Sequence, residues 1–188
     1  MAAACRFLAD SQSGPVPMAA LLRSAGVSSR AFYRHFVSKH DLYLALLEQE
    51  CRAVVDQVER IADEASGSPV EQLAAWIGAM FDIVVDPGQR MRLIVIDSEE
   101  VRVAKGYREV REWLHTERER SLAEILRRGQ ADGSFPVTDP DTDAVAINAT
   151  VSRVLGAQTS DDPEVYKQAQ VAVVDFALRV VGVPADRR

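Results

Sequence analysis

Apolar side chains recur at three- and four-residue steps along most of the chain, and no stretch alternates convincingly between apolar and polar residues as a strand would. The pattern is clearest in the stretch that contains Leu44, Leu47, Cys51, Val54, Val58 and Ile61. Such spacing places apolar groups along one side of a helix. The sequence therefore predicts an all-α fold of about nine helices.

Capping residues and prolines mark where the predicted helices begin. Ser38 and Asp41 form one capping signal, and Ser68, Pro69 and Glu71 form another, with proline in the first helical position. The predicted helices cover about residues 2–10, 18–25, 29–36, 38–64, 69–86, 91–96, 107–130, 141–157 and 164–181.

The segment 18–39 has the pattern of a helix-turn-helix. Gly26 suits the stop of the first helix, and Ser28 suits the cap of the next. Phe32 and Phe36 are four residues apart, which puts them together on the buried side of that second helix. Its outer side then presents Ser29, Arg30, Tyr33 and Arg34. A helix of this kind fits the major groove of B-DNA, where base pairs differ in their donor and acceptor patterns.

The distribution of charge agrees with a DNA-facing N-terminal part. The whole chain of 188 residues has a formal net charge of −6. Residues 1–47 nevertheless contain five basic and two acidic side chains, whereas residues 48–188 contain 17 basic and 26 acidic ones. Because phosphate neutralisation is local, a basic head on an acidic body is compatible with DNA binding.

Composition places the chain among ordinary globular proteins, with 47% apolar and 27% charged residues. No apolar run approaches the roughly 20 residues that span a bilayer, and we expect no membrane association. Cys5 and Cys51 lie on separate predicted helices and fit a reducing compartment. We therefore expect a cytoplasmic protein.

Three ungapped runs resemble the TetR family of tetracycline-repressor-like transcriptional regulators. They are residues 21–27 (LLRSAGV), 32–36 (FYRHF) and 38–42 (SKHDL). The resemblance implies a homodimer with an N-terminal DNA-binding domain, residues 1–47, and a C-terminal effector-binding and dimerisation domain, residues 48–188. It also implies that the protein binds a palindromic double-stranded DNA operator and responds to an unknown small-molecule effector. The expected role is that of a repressor.

The resemblance also assigns roles in DNA binding. Tyr33, His35 and Lys39 would contact phosphates, whereas the residues facing base edges or nearby backbone would be Ser29, Arg30, Ala31 and Arg34, with Ser28 as the cap before them. Pro17 departs from the family pattern, because the family usually has Thr or Ser there. One hydroxyl contact to phosphate is therefore expected to be absent.

The effector site is less distinct in the sequence. Large, soft side chains could wall an apolar pocket, and the candidates are Trp76, Met80, Met91 and Trp113. The same residues at helical spacing also suit an ordinary core. Asn148 stands among apolar neighbours, so its amide requires a partner if it is buried: a ligand, a water, or its counterpart across a dimer.

The last two predicted helices are unusually apolar, which suggests self-association. The residues assigned to the dimer interface are Ile147, Val151, Leu155, Val173 and Phe176. By contrast, the charges at Glu117, Arg118, Glu119 and Arg120 have the pattern of a solvated helix face.

No catalytic constellation is present in the sequence, and we expect neither an enzyme nor a cofactor. There is no phosphate-binding glycine loop, nucleophile elbow or HExxH helix. His115 and Glu119 could share a metal on one helix face, but the sequence places no further ligands, so no metal site is expected. The alternative to a DNA-binding regulator is a helical protein-interaction module that does not bind DNA.

Overall fold

A computed structural model gives the fold of residues 17–63, 67–86, 88–89, 98–158 and 162–184. These described residues are helical and contain no strand, so the predicted all-α class is confirmed. The predicted helices at 2–10 and 91–96 lie outside the described residues.

The helices have the following bounds. They are α1 (Met18–Ala25), α2 (Ser29–Phe32), α3 (Lys39–Asp63), α4 (Pro69–Val85), α5 (Glu99–Arg102), α6 (Tyr107–Asp132), α7 (Pro140–Ala157) and α8 (Pro163–Val180). The single turn α5 was not predicted. None of the helices within the described ranges is long and apolar enough to cross a bilayer.

The end of α1 turns the chain sharply. Gly26 has φ 65° and ψ 27°, a left-handed conformation that glycine adopts without a Cβ clash. Its N–H donates to the carbonyl of Arg23 at 3.2 Å, and the N–H of Val27 donates to the carbonyl of Leu22 at 3.0 Å. These paired bonds satisfy the last carbonyls of α1 and redirect the chain toward α2.

Reciprocal side-chain caps begin α3 and α4, as predicted. The N–H of Asp41 donates to Oγ of Ser38 at 3.2 Å, while the N–H of Ser38 donates to Oδ2 of Asp41 at 3.1 Å. The N–H of Ser68 donates to Oε2 of Glu71 at 2.7 Å. This bond, followed by the one from the Ser68 hydroxyl, holds the pKa of Glu71 below its usual 4.5.

Two compact units divide the chain. One comprises Met1–Ala53 and Asp86–Glu112, and the other comprises Val54–Val85 and Trp113–Arg188. Helix α3 contributes its first part to one unit and its last part to the other, and α6 does the same. A functional domain boundary at residue 47 stays a prediction.

Each unit has its own apolar core. In the first, the buried side chains include Leu21, Phe32, Leu42, Tyr43, Leu46 and Leu47. In the second, α4 packs against α7 and α8, and these two helices also contact each other. The buried side chains there include Trp76, Ile77, Phe81, Leu122, Ile147 and Ala177.

Candidate nucleic-acid interface and ligand site

The predicted recognition helix begins as expected and ends earlier than expected. The Ser28 hydroxyl accepts a hydrogen bond from the N–H of Ala31 at 3.2 Å, so Ser28 caps α2. The helix ends at Phe32, because the N–H of His35 donates to the carbonyl of Phe32, three residues back, and tightens the chain. Tyr33 and Arg34 therefore lie in the turn after α2 rather than within the helix.

Basic and polar side chains around α2 point into solvent. Ser29, Arg30, Arg34 and His35 are exposed, and Ala31 is half-buried. Tyr33 is 58% exposed, and its ring meets the buried ring of Phe32 edge-on with centroids 5.2 Å apart. The exposed side chains of this set can approach another molecule.

Lys39 lies in the first turn of α3, beside this surface in the sequence. It is half-buried, and its Nζ lies 5.4 Å from the ring centroid of Tyr43, which is fully buried. This cation–π contact stabilises the Lys39 ammonium group and restricts its position. The helix dipole adds positive potential at the same helix start.

The predicted ligand-site residues lie mostly in the core of the second unit. Trp76 is fully buried, Met80 is 3% exposed and Asn148 is 1% exposed, whereas Trp113 is half-buried. Met91 lies outside the described residues.

Trp76 is the start of a hydrogen-bonded chain across three helices. Its indole Nε1–H donates to Oγ of Ser121 at 3.3 Å, and that hydroxyl donates to the carbonyl of Val58 at 2.9 Å. Helices α4, α6 and α3 are thus connected through one buried hydroxyl. The sequence analysis did not identify Ser121.

Arg118 is buried, contrary to the prediction of a solvated face on α6. Its exposure is 7%, its Cζ lies 5.7 Å from the ring centroid of Trp76, and Nη1 donates to Oγ of Ser152 at 3.4 Å. The prediction failed because it considered only the run of opposite charges. Arg118 stands four residues after Leu114 and four before Leu122, which are both buried, so the apolar spacing was the available signal.

Only one of the two polar atoms of the Asn148 amide forms a hydrogen bond with a described residue. Its Nδ2 donates to Oε1 of Glu119 at 2.9 Å. Its Oδ1 is buried and has no hydrogen-bond partner among the described residues. The nitrogen thus has a partner within the chain, Glu119, which was not among the three partners that the sequence analysis considered.

Three of the residues assigned to a dimer interface are core residues of the single chain. Ile147 and Val151 are fully buried, and Val173 is 3% exposed. Their side chains have almost no surface left for a partner to cover. Leu155 and Phe176 are half-buried.

A cleft of about 260 Å³ lies between the end of α3 and the middle of α6. Its lining residues are Glu59, Ala62, Asp63, Arg120, Ser121 and Glu124. Arg120 pairs with Glu59 and with Glu117, each at 2.6 Å, so this surface carries a solvated ion-pair network. Within the described part of the chain, no group of three His, Cys, Asp or Glu residues could hold a metal ion.

Comparison of the sequence with protein-family models assigns the chain to a family. Residues 1–46 match the family model described as bacterial regulatory proteins of the tetR family, and residues 66–155 match the tetracyclin repressor-like C-terminal domain. Both matches are to models of regulatory proteins and not of enzymes. The chain belongs to the tetR family. No sequence among the curated proteins is a significant match.

Solved structures share the fold over nearly the full chain. A tetR-family regulatory protein from Rhodococcus RHA1 is 22% identical with a TM-score of 0.72, covering 97% of this chain and 95% of that one. SmeT in complex with triclosan is 21% identical with a TM-score of 0.77, covering 98% and 92%. AibR, in complex with isovaleryl coenzyme A and operator DNA, is 19% identical with a TM-score of 0.67, covering 93% of each chain.

Proposed function

We propose that this chain is a ligand-responsive repressor that binds a palindromic operator as a homodimer. The observation that carries the proposal is the exposure of Arg30, Tyr33 and Arg34 around a capped helix whose opposite side, at Phe32, is buried. A fixed backbone with solvent-facing donors is what groove recognition requires.

The proposed contacts divide into base reading and positioning. Arg30 can donate two hydrogen bonds to the major-groove edge of guanine, which is worth about 1–3 kcal/mol of discrimination. Tyr33, His35 and Lys39 would contact phosphates and set the register. Ser29, Ala31 and Arg34 would lie against base edges or nearby backbone, with Ser28 fixing the start of α2.

Small and apolar side chains on the outer faces of α7 and α8 support the proposed dimer. Val145 is 50% exposed and Val171 is 64% exposed, while Ala149 and Ala172 are also exposed. Small residues allow helices to approach closely, so these faces are the proposed contact. Leu155 and Phe176 remain candidates at its edge, and Ile147, Val151 and Val173 would support it from within the subunit.

Response to a ligand is proposed from the buried polar groups of the second unit and from the related complexes. SmeT was solved with triclosan, and AibR with both a coenzyme A thioester and operator DNA. Helix α3 begins at Lys39 and ends among residues of the second unit, so a ligand that moves α3 could change how the recognition helices are spaced. A coupling free energy of about 1–3 kcal/mol would change operator occupancy from several-fold to about a hundredfold.

Binding to random-sequence duplex DNA at increasing salt tests the proposal. We expect measurable binding at low salt that weakens steeply as counterion release becomes less favourable. Absence of binding at low salt would instead favour the alternative, a helical protein-interaction module. Sedimentation at the same concentration should show a dimer, and a solitary subunit would contradict the two-fold arrangement.

A further inference from the structure

We propose that α8 pairs antiparallel with α8 of a second copy of this chain, with the two-fold axis between Val171 and Ala172, and that charges near the two ends of the helix set this register. The inference deepens the dimer of the proposed function and rests on it. Its basis is an exposed face of α8 whose two halves are chemically complementary to each other.

One face of α8 is exposed along the whole helix. The opposite face packs against α4 and α7, and it buries Tyr166, Val173 and Ala177. Positions three and four residues apart lie on the same side of a helix, so the exposed positions with this spacing form one continuous surface. The residues of this outer face of α8 are Glu164, Gln168, Val171, Ala172, Asp175 and Arg179.

The outer face of α8 is complementary to its own reversed copy. An antiparallel partner, with the axis between residues 171 and 172, places each position opposite the one at the same distance from the axis. Glu164 then faces Arg179 of the partner subunit, and Gln168 faces Asp175 of the partner subunit. The first pair joins opposite charges, and the second joins an amide donor to a carboxylate acceptor. The centre contains only Val171 and Ala172 of each copy, which let the helices approach closely.

The charged side chains lie within reach of a partner helix. Glu164 and Arg179 are each about 11 Å from the axis along α8, because each residue adds about 1.5 Å. Antiparallel helices that cross at about 20° remain adjacent over such a distance. Arg179 contacts Asp175 of its own chain through Nε at 3.1 Å, so the four N–H donors of its Nη groups lie outside that contact.

Other arrangements of two α8 helices oppose groups that repel or do not match. A parallel pair would place Glu164 against its own copy and Arg179 against its own copy. An antiparallel pair that slides by one turn toward the N-terminus places Glu164 opposite Asp175 of the partner subunit, and a slide the other way places Ala172 there. Opposed like charges and carboxylates desolvated against apolar groups both cost free energy, so one register is favoured.

Charge reversal tests this pairing, because the two members of each ion pair are different residues. In Glu164→Arg, two copies would oppose arginine to arginine at both ends of α8, and in Arg179→Glu they would oppose glutamate to glutamate. Each variant alone should therefore dimerise about 10-fold more weakly than the native chain, or weaker still. A heterodimer of the two variants again joins opposite charges at both ends.

The two full-length variants are mixed in equal amounts, allowed to exchange subunits and examined by native mass spectrometry. If each homodimer is about 10-fold weaker than the heterodimer, the heterodimer should form about 90% of all dimers, against about half for statistical exchange. Asp82→Arg is the matched control, because it makes the same charge change at an exposed position of α4. Its mixture with Arg179→Glu should give the statistical share.

A chain with both reversals separates lost pairing from lost folding. Its ion pairs are restored with the charges exchanged, so sedimentation should show most of the native dimer affinity. A statistical share of heterodimer, or an equal excess in the Asp82→Arg mixture, overturns the inference. Homodimers of the doubly reversed chain that are as weak as those of either single variant also overturn it.

Sedimentation and duplex binding of the native chain keep this inference separate from the proposed function. A native dimer that binds DNA, together with a statistical mixture of the variants, refutes this inference alone. An excess of heterodimer without any duplex binding refutes the proposed regulator alone. A native chain that sediments as a monomer refutes both.

Discussion

Replacement of Lys39 by Ala should reduce the salt dependence of DNA binding without changing which sequences are preferred. Lys39 opens α3, and its Nζ lies over the Tyr43 ring, so its position is restrained before DNA arrives. A lysine that neutralises a phosphate releases counterions whichever base pair is adjacent. The effect should therefore be uniform across duplex sequences.

The expected size follows from one phosphate contact per subunit. Each neutralised phosphate contributes about 0.9 to the slope of log K against log salt concentration, so a dimer that loses two contacts should lose about 1.8 from that slope. Between 50 and 200 mM salt, the native dimer should then weaken about 12-fold more than the variant does.

The assay is fluorescence anisotropy of a labelled random-sequence duplex over that range of salt. Lys105→Ala is the matched control, because Lys105 is an exposed lysine of the first unit outside the helix-turn-helix. An unchanged slope in Lys39→Ala, or an equal change in both variants, would refute the assignment of Lys39 to phosphate. A thermal melt of each variant confirms that the comparison is made between folded proteins.

Three further predictions concern other residues. Arg30→Ala should relax base preference at one position of each half-site by about 1–3 kcal/mol, and an unchanged selected motif would exclude base reading by Arg30. Gly129→Ala would drive a Cβ into the buried ring of Phe135 and should lower the free energy of unfolding, measured in urea, by about 1–3 kcal/mol. Adding Phe135→Leu to the same chain should restore part of that free energy. Absence of any rescue would contradict a clash between the new Cβ and the Phe135 ring. The Ser68 N–H lowers the pKa of Glu71 in the folded protein. The contribution of the Glu71 carboxylate to the free energy of unfolding is therefore present above pH 4.5 and is lost as pH falls through the lower folded-state pKa. The difference in free energy of unfolding between the native protein and Glu71→Gln should therefore shrink below pH 4.5. A difference that grows below pH 4.5 would contradict a lowered pKa of Glu71 in the folded state.

Local signals in the sequence predicted where helices begin. The caps at Ser28, Ser38 and Ser68 each form the predicted bond, because a cap depends on residues only three positions apart. The same local chemistry exposes Arg30 and Arg34, because Phe32 on the opposite side is drawn into the core.

Tertiary packing determines the surroundings of several residues that local sequence patterns did not predict. Apolar spacing showed that Ile147 and Val151 would be covered, but it does not say whether their own chain or a partner covers them. The charges around Arg118 have the pattern of a solvated face, and only the packing of α4 and α7 against α6 places that guanidinium beside Trp76. Ser121 gave no signal, because a single serine in a charged helix is ordinary until its neighbours are known.

Selection of duplexes from a random pool by the full chain tests the central claim most directly. The account predicts enrichment of an inverted repeat whose half-sites are centred about 34–36 Å apart, one turn of B-DNA, as two recognition helices related by a two-fold axis require. Failure to enrich any duplex at low salt, or recovery of a motif without inverted symmetry, would contradict it.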